Sequence, residues 1–132
     1  MADALSIAAS IAGVISIARG AISAFSSTTL KHDREYLEKV QPLVNKFETA
    51  AILLQTTHKH LPTNAVVPGV DLSLKICMER GKNIQRMIAE MASGSKSKLR
   101  ISPRMEEFTK RLSKEVDMFA DSVASITIFS QE

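Results

Sequence analysis

Between Ala4 and Phe25 the chain carries one charge, Arg19, in 22 residues. Coiled as a helix, this stretch is roughly 33 Å long, about the thickness of a bilayer's hydrocarbon core. A helix this apolar has to be covered by the rest of the chain, by a partner or by lipid. It is therefore expected to be the central or most covered helix of the fold, unless a partner or lipid does the covering. A secretory signal needs a basic start, and the chain opens Met1-Ala2-Asp3. Asp3 reads instead as a helix cap, its carboxylate near the positive end of the dipole.

The cost of placing this segment in lipid is close to balanced. Five Ile, with Leu5, Val14 and Phe25, favour insertion by roughly 2.4–4.8 kcal/mol in total. Arg19 opposes it by roughly 2.5–3.5 kcal/mol at depth, less if it snorkels. Ser6, Ser10, Ser16 and Ser23 add to the opposition. The faces differ too. Ile7, Ile11, Val14, Ile15, Ala18, Ile22 and Phe25 share one side at helical spacing, with Leu5 and Ile17 adding to the apolar surface. Ala8, Ala12, Ser16, Gly20 and Ala24 recur every four residues on another side. Small residues at that spacing let two backbones approach closely in a membrane. Ala-rich faces are equally at home in soluble bundles, where Ala has the best helix propensity.

The remainder reads as three amphipathic helices. After a polar connector at Ser26-Ser27-Thr28-Thr29, Asp33 caps a helix over 33–61. Its stripe is Leu37, Val40, Val44, Phe47, Ala51, Leu54 and Leu61, with His58 in the one vacant position. Pro42 predicts a kink or a fresh start near Val40. A loop over Pro62–Gly69 precedes a helix over 71–93, with Asp71 as cap. Its stripe is Leu74, Cys77, Ile84, Met87, Ile88 and Met91, and Gly81 on the same face is expected to admit a close neighbour. Gly94 ends it. Ser102-Pro103 opens a fourth helix over 102–128, striped by Met105, Phe108, Leu112, Val116, Phe119, Val123 and Ile126.

The fold class expected is all-α: one four-helix-bundle domain over 1–132, with room for a kinked or extra short helix and with helix 1–25 hydrophobic. Short connectors make consecutive helices neighbours by default. Composition agrees, since 45% of residues are hydrophobic and only 5% aromatic, which leaves the core to aliphatic side chains. Five Gly and four Pro are too few for a turn-rich sandwich, and one cysteine excludes an internal disulfide.

Chemistry is sparse. No phosphate loop, dinucleotide fingerprint or nucleophile elbow occurs. His58-x-His60 with Cys77 or His32 has the residue types of a metal site but weak spacing. No catalytic residue, metal or other cofactor is expected, and the chain does not read as an enzyme. The net charge is +3, concentrated in Lys96, Lys98, Arg100, Arg104, Lys110, Arg111 and Lys114. Such groups attract anionic lipid by roughly 1 kcal/mol each near a surface. No aromatic residues are interleaved for stacking, so nucleic acid is not an expected partner.

The opening Met1-Ala2-Asp3-Ala4-Leu5-Ser6-Ile7-Ala8-Ala9-Ser10-Ile11-Ala12-Gly13-Val14-Ile15-Ser16-Ile17-Ala18 resembles the start of fungal HeLo-like domains. These stand at the N-terminus of NOD-like (STAND) receptors and related cell-death effectors. The close resemblance covers about the first 25 residues, and the helical layout to about residue 128 is compatible with it. It implies a bundle whose N-terminal helix targets membranes in programmed cell death, with kinship to the mixed lineage kinase domain-like four-helix bundle. It further implies homo-oligomerisation on activation, an upstream receptor or amyloid-type activator, and relocation from cytoplasm to plasma membrane. The nucleotide-binding domain or amyloid motif that commonly follows is not in this sequence, which fits an isolated effector domain of a longer protein. The alternative expectation is a soluble signalling or adaptor module acting through homotypic or partner-helix contacts.

Overall fold

The computed structural model describes residues 4–27, 34–60, 68–93 and 102–130, with side chains over 9–26, 38–57, 70–90 and 106–128. Four helices account for all of it: α1 (Ala4–Ser27), α2 (Arg34–His60), α3 (Pro68–Ser93) and α4 (Ser102–Ser130). The 3–4 apolar spacing of each predicted helix produces this, because each stripe needs another to cover it. Three boundaries differ from the sequence reading: α4 runs to Ser130 rather than 128, and the other two are in α1 and α3. Helix α1 continues through Ser26 and Ser27, and α3 starts at Pro68, so Asp71 lies in its first turn rather than capping it. Proline at a helix start loses no intrahelical bond. Asp71 then sits near the positive dipole end and pairs with Lys75 at 4.0 Å. The predicted caps Asp3 and Asp33, the end at Gly94 and the remaining parts of the connectors lie outside the described residues.

Pro42 neither ends α2 nor starts a new helix; it lies inside one continuous element. It is exposed, so the carbonyl it leaves without an intrahelical donor can be hydrated.

Helix neighbours are the main departure from expectation. Helix α1 packs on α2 and α3, and α4 packs on the same two; consecutive α2 and α3 stand at opposite corners, as do α1 and α4. Side-chain pairs set the directions. Gly13 faces Met78, Ile17 meets Gly81 and Gly20 faces Gln85, so α1 and α3 run parallel. Cys77 with the Phe119 carbonyl and Arg80 with Glu115 make α3 and α4 antiparallel. Lys46 with Asp117 and Thr57 with Thr127 make α2 and α4 parallel. It follows that α1 and α2 are antiparallel. Of the four seams, α1 with α2 is the least extensive.

The core draws on all four predicted stripes, with Ala21, Ala50 and Val70 added and Ile15, Ile22, Met87 and Phe108 only partly buried at its edge. Ile11, Val14, Ala18, Ala21 and Phe25 of α1 meet Val40, Val44, Phe47, Ala51 and Leu54 of α2, with Leu74, Cys77, Ile84 and Ile88 of α3 and Leu112, Val116, Phe119, Val123 and Ile126 of α4. The core is not purely aliphatic, contrary to what the low aromatic content suggested: the fully buried Phe47 and Phe119 rings meet edge to face, centroids 4.7 Å apart at 69°. Such a pair contributes about 0.5–1.5 kcal/mol beyond its burial. Thr57, buried on α2, shares a 3.1 Å hydrogen bond with Thr127, whose hydroxyl donates to the Val123 carbonyl. Two hydroxyls thus satisfy each other where α2 meets α4.

Candidate functional site

Helix α1 is not the central helix. It occupies a corner like the other three, with one stripe in the core and one facing outward. Ile11, Val14, Ala18, Ala21 and Phe25 are buried. Ala9, Ala12, Ser16, Arg19, Ser23 and Ser26 are exposed and follow the same 3–4 spacing on the opposite side. Small residues explain how an almost uncharged helix tolerates a corner: Ala and Ser expose little apolar area to water. The window Ala9–Ser26 is long and apolar enough to cross a membrane, and 28% of it is buried.

The residues singled out from the sequence separate into groups. Among the Ile-face residues, Ile11, Val14 and Phe25 are in the core, while Ile15 and Ile22 are half-buried at its edge on the α2 side. Ile17 is half-buried toward α3, in contact range of Gly81. The side chains of Leu5, Ile7 and Ala8 are outside the described residues. The small-residue series Ala12, Ser16, Gly20 and Ala24 does not stay on one face. A four-residue step advances about 40° beyond a full turn, so Ala12 and Ser16 are exposed while Gly20 and Ala24 are half-buried. The outward seam is the Ala9–Ser26 series instead.

Of the basic residues, Lys96, Lys98 and Arg100 lie outside the described residues, as does the Arg104 side chain. Lys110, Arg111 and Lys114 are exposed on α4. Arg111 and Lys114 join Arg86 of α3, which the sequence reading missed, around a depression of about 390 Å³ also lined by Asn83, Met87, Glu90 and Glu115. Beneath it Arg80 donates from Nη1 to both Glu115 carboxylate oxygens at 3.2 Å, and Asn83 donates to the same carboxylate at 3.4 Å. Glu115 is thereby committed to the α3–α4 seam, and the outward field of the depression is net basic. Finding Arg86 required knowing that α3 and α4 are antiparallel neighbours. Because α4 stands diagonal to α1, the basic face and the apolar helix lie on different sides of the bundle.

Cys77 is fully buried, and desolvation pushes its thiol from 9.0 up to about 12. Its sulfur lies 4.0 Å from the Phe119 carbonyl oxygen. A thiol held protonated in an apolar setting is a poor nucleophile and metal ligand. Among the described residues no three His, Cys, Asp or Glu side chains converge; His58 and His60 side chains lie outside them. Comparison of the chain with protein-family models, curated proteins and solved structures found no match.

Proposed function

We propose that this chain is a regulated cell-death effector domain that permeabilises membranes by delivering α1 into lipid after oligomerisation. The observation that carries the reading is the corner position of a span-length apolar helix, with 28% of its window buried and Arg19 as the one charge between Ala4 and Ser27. Leaving the bundle, such a helix exchanges its core contacts for lipid contacts of similar apolarity and desolvates few polar side chains. The opening residues that resemble fungal HeLo-like domains support the innate-immunity and NOD-like-receptor context of this reading. In it the protein is cytoplasmic at rest and relocates to the plasma membrane. Lys110, Arg111 and Lys114, with Lys96, Lys98, Arg100 and Arg104, attract anionic headgroups. Since α1 and α4 are diagonal, docking and insertion are successive steps: the basic side approaches first, and α1 must leave its corner.

Leakage of a trapped dye from anionic vesicles tests this. The intact chain, once clustered, is expected to release dye, and a chain lacking residues 1–25 is expected to release none. Equal leakage from both, or none from either, removes the proposal. Gly20→Leu separates membrane packing from folding. A Cβ on Gly20 meets the flexible end of Gln85 at 2.7 Å, and that end can swing aside. Stability should fall by less than about 1 kcal/mol, below the usual overpacking cost, while leakage drops.

The second reading, a soluble signalling or adaptor module, is favoured by the buried stripe Ile11–Phe25, which behaves as an ordinary core face. It predicts no sedimentation with anionic vesicles.

A further inference from the structure

The weakest seam of the bundle is also an open one. Between α1 and α2 runs a groove of about 330 Å³ lined by Ile15, Ala18, Ile22, Ala51 and Ile52, with Arg19 on the α1 wall and Glu48 on the α2 wall. Ile52 is 55% exposed, an unusual state for a β-branched aliphatic residue beside an apolar groove. Arg19 and Glu48 are both exposed, and neither is in an ion pair among the described residues. The groove therefore has an apolar floor and one charge of opposite sign on each wall.

We propose that a second copy of this chain occupies the groove, related by a two-fold axis running along it. That operation lays α1 of each copy along α2 of the other. It brings Arg19 against Glu48 of the partner subunit twice, and it covers Ile15, Ile22 and Ile52 on both sides. The wall charges select this occupant. A foreign helix of one charge sign satisfies one wall and is repelled by the other, whereas the groove is complementary to its own copy. Exposed Ala12, Ser16 and Ser23 along the same side of α1 allow close approach. The dimer uses α1 in its packed position, so it is a resting assembly; the inference does not depend on the membrane reading.

Charge reversal in trans provides the test, read by sedimentation equilibrium with circular dichroism as a check on folding. The native chain is expected to dimerise. Arg19→Glu and Glu48→Arg each place like charges across the interface and should weaken dimerisation at least about tenfold. An equimolar mixture of the two variants restores both pairs, because the Arg19→Glu chain presents two acids to the two bases of the Glu48→Arg chain. Recovery of the dimer only on mixing supports the proposal, and no intramolecular Arg19–Glu48 interaction reproduces it. A monomeric native chain at all accessible concentrations, single variants that dimerise like the native chain, or a mixture that stays monomeric overturns it. If a reversed variant does not fold, Arg19→Gln and Glu48→Gln are each expected to weaken the dimer severalfold, and their mixture, which restores one of the two pairs, is expected to recover part of the loss; neutral variants that dimerise like the native chain overturn the proposal.

Discussion

Helices α1 and α4 stand at opposite corners of one bundle, and each buries one stripe against the same two neighbours. They differ on the outside. Helix α4 exposes Glu106, Glu107, Lys110, Arg111, Lys114 and Asp121, whereas α1 exposes Ala9, Ala12, Ser16, Ser23 and Ser26 with Arg19 alone charged. The apolar content of α1 therefore does not measure how deeply it is held. It measures how little it loses on leaving water, since a charged outward face anchors α4 in solvent and α1 has almost none. The better anchor of the fold is α4, whose Phe119 meets Phe47 of α2 and lies near Gly81 of α3.

Removing that anchor should have the largest effect. Phe119→Ala empties a fully buried site and is expected to cost about 3–5 kcal/mol in urea denaturation. A loss below about 1 kcal/mol would show that α4 does not organise the bundle, and the contrast with α1 would collapse.

Cys77, facing α4 from α3, gives a pH-dependent effect. The folded thiol titrates near 12 and the unfolded one near 9.0. Between these values the unfolded chain has lost a proton that the folded chain keeps. Its contribution is thus intact below pH 9 and is lost as pH rises toward 12, at about 1.4 kcal/mol per pH unit. Cys77→Ala should lack that slope, which shows in the difference between the two stability profiles at alkaline pH. Identical slopes would mean that the thiol is reached by water.

The smallest effect sharpens the contrast on the α1 side. A methyl on Gly81 would lie 3.5 Å from Ile17 and 3.6 Å from Phe119, ordinary contact distances. The expectation that Gly81 is there for close approach is therefore replaced by one of a tolerated methyl. Gly81→Ala should raise stability by about 0.5–1 kcal/mol, since Gly weakens a helix interior by that much. Destabilisation on thermal melting would mean that α1 and α4 close on α3 more tightly than these distances imply.

Much of the core was legible in advance. Val40, Val44, Phe47 and Leu54, and likewise Leu112, Val116, Phe119, Val123 and Ile126, recur at helical spacing and are buried. Ala21, Ala50, Thr57 and Val70 were missed, since small, polar or end-of-helix residues give a weak periodic signal. The candidate sites were less legible. Arg86 joins Arg111 and Lys114, and Ile52 and Glu48 join Ile15 and Arg19, only across helix seams.

Local periodicity by itself determined that this chain forms four helices, which face of each is buried, and that the first is apolar enough for either water-free environment. Those are properties of neighbouring residues on one helix, fixed by the 3.6-residue repeat. Only the tertiary structure decided that α2 and α3 stand diagonally, that α1 takes a corner, and that the basic face lies away from it. Those outcomes depend on how side-chain ridges from distant segments fit into one another's grooves. No stretch of the chain encodes that fit alone.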